Sequence, residues 1–164
     1  MAVPVTAVAA LGLLAGCSGS VQVAAPVTTG AAAAQCKALQ PLLPKTLLGK
    51  KRRTSTPASA NTAAWGDPAI TLSCGVPEPG ALNPASPEYD PKGDNSIAVE
   101  AAGVCWLTQP TSGGGFRFTT VKQQTYVELN VPGAYAGQNY PLPDLAAAVQ
   151  KADPANPALV FDCS

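Results

Sequence analysis

Five cysteines, at positions 17, 36, 74, 105 and 163, limit this chain of 164 residues more than any other feature. Cys17 ends an apolar leader and stands apart. The other four are spread over the remaining sequence, and none of them forms a C-x-x-C pair. That spacing points away from a thioredoxin-like redox site and from a zinc ribbon. Four cysteines in an oxidising compartment predict two disulfides, with three pairings open. The favoured pairing is Cys36–Cys74 with Cys105–Cys163. The first bond would staple an N-terminal helix to the first strand, and the second would tie the C-terminal tail to the sheet. Each would add about 2–4 kcal/mol. The domain needs that help, because aromatic residues are 5% of the chain while Pro and Gly number 17 and 15. A core built from this composition is modest.

The leader sets the compartment. Residues 2–16, AVPVTAVAALGLLAG, carry no charge. Fifteen residues fall short of the roughly 20 that a membrane span requires, and they suit the apolar stretch of a signal peptide. The stretch ends in Leu14-Ala15-Gly16-Cys17. Small residues fit the narrow site of a signal peptidase, and the cysteine thiol supplies the atom that takes a diacylglycerol. Residues 1–16 therefore read as a signal peptide and Cys17 as the point of lipid attachment. No Lys or Arg precedes the apolar run, which predicts a translation start upstream of Met1 and a truncated signal peptide. Two acyl chains suffice for stable anchoring, so the expected location is the extracytoplasmic face of the cell membrane. Residues 17–34 carry no charge and are rich in Ala, Val, Thr, Pro and Gly. They are expected to form a flexible tether with a root-mean-square span of about 22 Å.

Residues 35–164 are expected to form one small domain. Cys36, Leu39 and Leu43 lie at helical spacing in 32–43, with Pro41 and Pro44 limiting the helix. Ile70 and Leu72 alternate with Thr71 and Ser73 in a strand over 69–74. Strands over 96–100 and 104–109 are joined by a tight turn at Ala101-Ala102-Gly103. A further hairpin is expected from 116–121 and 125–131, with Val127, Leu129 and Val131 on one face. Pro143 and Asp144 open a second helix, which runs to about Lys151. Residues 75–95, with several Pro and acidic residues, read as a surface loop. The sum is an α+β fold: an antiparallel sheet of about five strands, disulfide-stapled, with an N-terminal and a C-terminal helix packed on one face.

The string WGDPAITLSCGVP at 65–77 is distinctive. Together with the lipobox, the Cys36-x-x-Leu39 ahead of Leu43-Pro44, and Tyr126-Val127-Glu128 ahead of Val131-Pro132, it resembles an actinobacterial family of exported lipoproteins, the domain of unknown function numbered 3515. The resemblance runs over roughly 36–150. Trp65, Gly66, Pro68, Cys74, Gly75 and Pro77 match its most specific element. Where the family pattern has Arg, this chain has Ser73 and Gln123 or Gln124, so an acidic ligand held by those Arg residues is not expected here. The resemblance implies an envelope location and no particular activity.

The charge map is uneven. Six basic residues and no acid lie between Cys36 and Arg53, while all ten acids follow Thr54. Lys50, Lys51, Arg52 and Arg53, with Lys45 nearby, are candidates for touching anionic head groups or wall polymers; the alternative is a solvated loop. Trp65 and Trp106 are candidates for an aromatic platform that takes a sugar or peptide, and core packing is the commoner use of such residues. Asp67 is a candidate buried acid, set against a turn-capping role before Pro68. Glu88, Asp90, Asp94 and Asn95 share one loop without the spacing of a calcium site. Net charge is zero and His is absent, which removes the commonest general base and metal ligand. No metal, cofactor or nucleic acid is expected. The expected function is a non-catalytic cell-envelope accessory or binding module, held at the membrane by its lipid and partnered by an envelope protein or polymer. Two alternatives are kept. One is a small-molecule or glycan carrier or sensor with a pocket beside Trp65 and Trp106. The other is a wall hydrolase using carboxylates such as Asp67 or Glu100.

Overall fold

Strict alternation of large apolar and small polar side chains builds the middle of the sheet. In Ile70–Cys74 and Val127–Val131 every second residue is buried, as a strand with one covered face requires. These two segments pair antiparallel, Leu72 opposite Leu129 and Cys74 opposite Val127. The computed structural model describes residues 19–90, 93, 97–138, 140–159 and 163. The expected signal peptide and Cys17 lie outside the described residues, as do Asp94 and Asn95.

In chain order the elements are β1 (Val21–Gln22), α1 (Gly30–Leu39), β2 (Thr46–Leu47), β3 (Lys50–Arg53), β4 (Ser55–Thr56), β5 (Thr62–Trp65), β6 (Ile70–Cys74), β7 (Ile97–Ala101), β8 (Val104–Pro110), β9 (Phe116–Thr120), β10 (Val127–Val131) and α2 (Leu142–Ala152). Short 3-10 turns follow α1 at Gln40–Leu42, sit at Gly80–Leu82 in the long loop, and follow β10 at Gly133–Tyr135. The main sheet has eight strands in the order β2-β3-β5-β6-β10-β9-β8-β7, all antiparallel. A separate parallel pair joins β1 to β4.

The expected α+β class with two helices holds, but eight strands replace the expected five. The surplus lies between Thr46 and Trp65. For the basic run no strand is expected from the sequence. Instead it forms a hairpin with β2 through Leu48-Gly49, whose φ angles are +49° and +70°. Two left-handed residues make the turn type that matches the twist of a hairpin. Ala102-Gly103, at +49° and +81°, joins β7 to β8 in the same way.

The segment expected to be a tether is also corrected. Val21 and Val23 donate backbone hydrogen bonds to the carbonyls of Thr54 and Thr56, at 2.9 and 3.1 Å, and Val23 is buried. Helix α1 starts at Gly30, ahead of the expected position, because Ala31–Ala34 is a run of the best helix former. It ends at Leu39, short of the expected Leu43, and gives way to a 3-10 turn at Gln40–Leu42, since Pro41 has no N–H to continue an α-helix.

One core fills the space between the sheet and both helices. Cys36 and Leu39 from α1, and Leu142, Leu145, Ala146 and Val149 from α2, meet Trp65, Leu72, Trp106, Phe118 and Leu129 from the sheet. The apolar positions of α2 recur every three or four residues, which puts them on one stripe. A smaller cluster of Ala81, Cys105, Leu107 and Val121, with Leu82 and Cys163 against it, forms a second core. Each cluster holds one disulfide. Cys36–Cys74, with Cα atoms 5.6 Å apart, belongs to the large one, and Cys105–Cys163, at 5.9 Å, to the small one. This is the pairing favoured from the sequence.

Ala102 sits at a φ that costs a residue with a Cβ about 1 kcal/mol, and Asn tolerates that φ. Ala102→Asn is therefore expected to raise the unfolding free energy by about 0.5–1 kcal/mol. A denaturant midpoint that is unchanged or lowered would count against the turn geometry.

Candidate functional site

The residues singled out by type do not gather in one place. Trp65 and Trp106 are both fully buried in the large core. The indole Nε1 of Trp65 donates to the Pro44 carbonyl at 2.9 Å. That of Trp106 has no partner among the described residues. Neither can offer a ring face to a sugar or peptide from outside, so the expected platform is replaced by core packing. The reason is register: Trp65 pairs with Ile70, and Trp106 with Val99 and Thr120, so both side chains stand on the face that the helices cover.

Asp67 is not a buried acid. Its side chain is 89% exposed, 3.9 Å from Arg53, in the turn between β5 and β6. That turn is shaped by Gly66 at φ +72° and by the cis Asp67–Pro68 peptide. A Cβ on Gly66 would lie 2.9 Å from Lys50 and 3.0 Å from the Tyr135 hydroxyl, so the turn packs against β3 only because Gly66 has none. The Tyr135 hydroxyl closes the turn by donating to the Pro68 carbonyl at 2.7 Å. Glu100 accepts from the backbone N–H of Gly103 at 2.9 Å, in another turn. The two carboxylates named for hydrolysis thus belong to separate turns. Within the acidic loop, Glu88 and Asp90 are exposed, and no group of three metal-ligating side chains occurs among the described residues.

The basic strand β3 is where polar chemistry does concentrate. Lys51 points to solvent, and Lys50 lies 5.5 Å over the Tyr135 ring. Arg52 lies 5.3 Å over the Trp65 ring and donates to Gln40 Oε1 at 2.6 Å. Its guanidinium is half-buried, and burial pushes its pKa below the ordinary arginine value. Arg53 donates to the carbonyls of Gly66, at 2.9 Å, and of Gly19. Both arginines line a cleft of about 190 Å³ together with Gln40 and the hydroxyl residues Thr54, Ser55, Ser59 and Thr62. A second cleft of about 160 Å³ shares Arg52, Arg53 and Thr54 and is closed by Gly19. Among the described residues, no carboxylate lines either cleft.

The sequence reading found the two arginines and missed their surroundings. Gln40 comes from the helix end, and the hydroxyl residues between Thr54 and Thr62 carry no expected role in the sequence. Gly19 was assigned to the tether. The one available signal was a Ser/Thr-rich stretch directly after four consecutive cations.

A second polar cluster lies beside the middle of α1, at Gln35. Asp153 is buried, and its carboxylate accepts the backbone N–H groups of Gln124 and Thr125 at 3.1 and 3.0 Å. Gln35 and Thr125 are hydrogen-bonded beside it. Desolvation pushes the Asp153 pKa up, and the two N–H donors hold it down less strongly. Every bond here ties α1 or the end of α2 to the loop before β10, so the cluster reads as a structural joint.

The family described as Protein of unknown function (DUF3515) matches residues 1–158. The chain belongs to that family. No curated protein and no solved structure matches it. The residues that carried the resemblance to DUF3515 build the frame rather than a pocket. Trp65 ends β5, Gly66 and Pro68 form the turn beside β3, and Cys74 holds α1 through its disulfide.

The two tryptophans separate experimentally. Trp65→Phe loses a made hydrogen bond and a cation stacked on the ring, whereas Trp106→Phe removes an N–H without a partner. The first is expected to destabilise the domain by about 1 kcal/mol more than the second in urea unfolding; equal losses would contradict the hydrogen-bond assignment. For Asp153 the sign follows from its raised pKa. The folded state holds this proton more tightly than the unfolded state, so the stability it contributes is full below about pH 4 and is lost as pH rises through the folded pKa. Against Asp153→Asn, the wild type is expected to lose relative stability as pH rises above about 4 and through the raised folded-state pKa. A difference that stays flat over that range would exclude the desolvated carboxylate.

Proposed function

We propose that this DUF3515 member is a membrane-anchored, extracytoplasmic lipoprotein whose single domain is a non-catalytic binding module of the cell envelope. The observation that carries the reading is Leu14-Ala15-Gly16-Cys17, an apolar run closed by small residues and a cysteine. The rest of the molecule is consistent with an exported domain. Its four remaining cysteines are paired in two disulfides, as oxidising compartments favour. No helix among the described residues is long and apolar enough to cross a membrane, so attachment in this reading falls to the lipid on Cys17. The actinobacterial source implied by the resemblance belongs to the same reading.

The two carboxylates considered for hydrolysis, Asp67 and Glu100, lie in separate turns, whereas the cations gather on one strand and favour a binding role. Its concentrated charge lies on β3, beside the point where the chain enters the fold. Arg52 and Arg53 are held by packing and hydrogen bonds instead of waving in solvent, which lowers the entropy lost when they bind. A module placed in this way would meet anionic material at the membrane surface.

The anchor is tested on the mature N-terminus. Mass spectrometry of the protein from its native membrane is expected to find a diacylglyceryl group on Cys17, and Cys17→Ser is expected to release the domain from the membrane fraction. An unmodified Cys17 thiol in the membrane-bound wild type would overturn the reading.

A further inference from the structure

We propose that the paired clefts along β3 form an oxoanion site that takes the phosphate of an anionic lipid head group. This deepens the proposed function and rests on it for the lipid source, while the anion chemistry stands on the site itself.

Three observations converge on the site. Its charge is positive: two guanidinium groups line both clefts and, among the described residues, no carboxylate does, the nearest pairing being that of Arg53 with the exposed Asp67 at 3.9 Å outside the lining. Arg52 has no ion pair among the described residues, although it is half-buried. A guanidinium has five N–H donors, and the bonds to Gln40, Gly66 and Gly19 leave several without a partner among the described residues. The remaining lining is rich in hydroxyl groups. Ser59 Oγ accepts from the Asn61 N–H at 3.0 Å, so its own O–H is left to donate. Thr62 is only 3% exposed, and its Oγ1 has no hydrogen-bond partner among the described residues. A buried hydroxyl in that condition is destabilising, and an acceptor brought into the cleft relieves it. Arginines with hydroxyl donors are the set that recognises phosphate.

Position selects the source of the phosphate. The smaller cleft is closed by Gly19, whose carbonyl accepts from Arg53. Gly19 is two residues from Cys17, a reach of about 7 Å of extended chain. A diacylglyceryl group on Cys17 would hold the site in the head-group layer, where phosphodiesters are the most abundant anions. The clefts have room for one such group and not for a folded partner.

The test uses the full oxidised chain in maltoside micelles, with calorimetric titration of two soluble probes. These are inorganic phosphate and glycerophosphoglycerol, the head-group diester without acyl chains. Both are expected to bind saturably and to weaken with added salt. Arg53→Gln is expected to weaken them about tenfold, Asp67→Asn to tighten them, and Lys37→Gln, outside both clefts, to leave them unchanged. Arg52→Gln is expected to match Arg53→Gln if the domain folds without the stack on Trp65. Thr62→Val gives an independent reading: it should raise the melting temperature of the ligand-free protein and diminish the rise that phosphate produces. No saturable binding of either probe overturns the site, as does binding that Arg53→Gln and Thr62→Val leave intact. Binding of inorganic phosphate without the diester overturns the lipid source. The probes do not depend on acylation, so binding by a chain with an unmodified Cys17 would remove the anchor and keep the anion site.

Discussion

Cys36 and Cys74 are joined at the contact between α1 and β6, with both side chains excluded from water. Most of the architecture is referred to this bond. β6 is an interior strand, with β5 on one side and β10 on the other. α1 is rich in alanine and has little apolar reach of its own, since only Cys36 and Leu39 are buried. A helix with so small a buried stripe contributes only a few kcal/mol of apolar burial at about 25 cal/mol per Å², which leaves it dependent on a covalent tie. Once α1 is fixed, Gln40 at its C-terminal end donates to the Thr62 carbonyl at 2.8 Å and accepts from Arg52. The disulfide thereby sets the geometry of β3 at one remove. Relaxing it would loosen the helix end that orients Arg52.

What was legible in the sequence follows from how local the signals are. Ile70, Leu72, Val127, Leu129 and Val131 announce their strands by alternation, and Pro143 and Asp144 announce the start of α2. The paired hairpins and the position of α2 were readable on those grounds. The strands around Lys50–Arg53 and Thr62–Trp65 were not. Four consecutive cations show no alternation, and Thr-Ala-Ala-Trp looks like a linker, yet both segments are held by backbone pairing with neighbours that only the folded chain supplies. Residues 21–34 were misread for the complementary reason. A lack of charge with many small residues describes a flexible linker, and it also describes an alanine helix and a strand of two residues.

The site was legible in charge and illegible in shape. Lys50–Arg53 stood out as the chain's one block of cations, but sequence alone cannot say which of four successive cations is held and which is solvated. Strand alternation does not divide them cleanly either. Arg52 takes the helix-covered face, because it pairs with Trp65, and stacks there. Arg53 pairs with Ala64 and is held instead by two carbonyls. Two neighbouring arginines on opposite sides of a strand would ordinarily serve different surfaces. Here both reach the same clefts, because the chain at Gly19 and the turn at Gly66 close around the strand.

That closure changes the physics of any encounter with an anionic surface. Charge attraction in physiological salt decays over about 8 Å. A flexible tether of the expected length would leave the domain about 22 Å from its anchor on average, and β3 would feel the surface only in rare configurations. With β1 paired to β4, the anchor point of the proposed lipoprotein is about 7 Å of chain from Gly19. That distance lies within the screening length. The two hydrogen bonds from Val21 and Val23 to Thr54 and Thr56 thus matter more to an encounter than the number of cations. They decide whether those cations work at contact range or are screened by the solvent between.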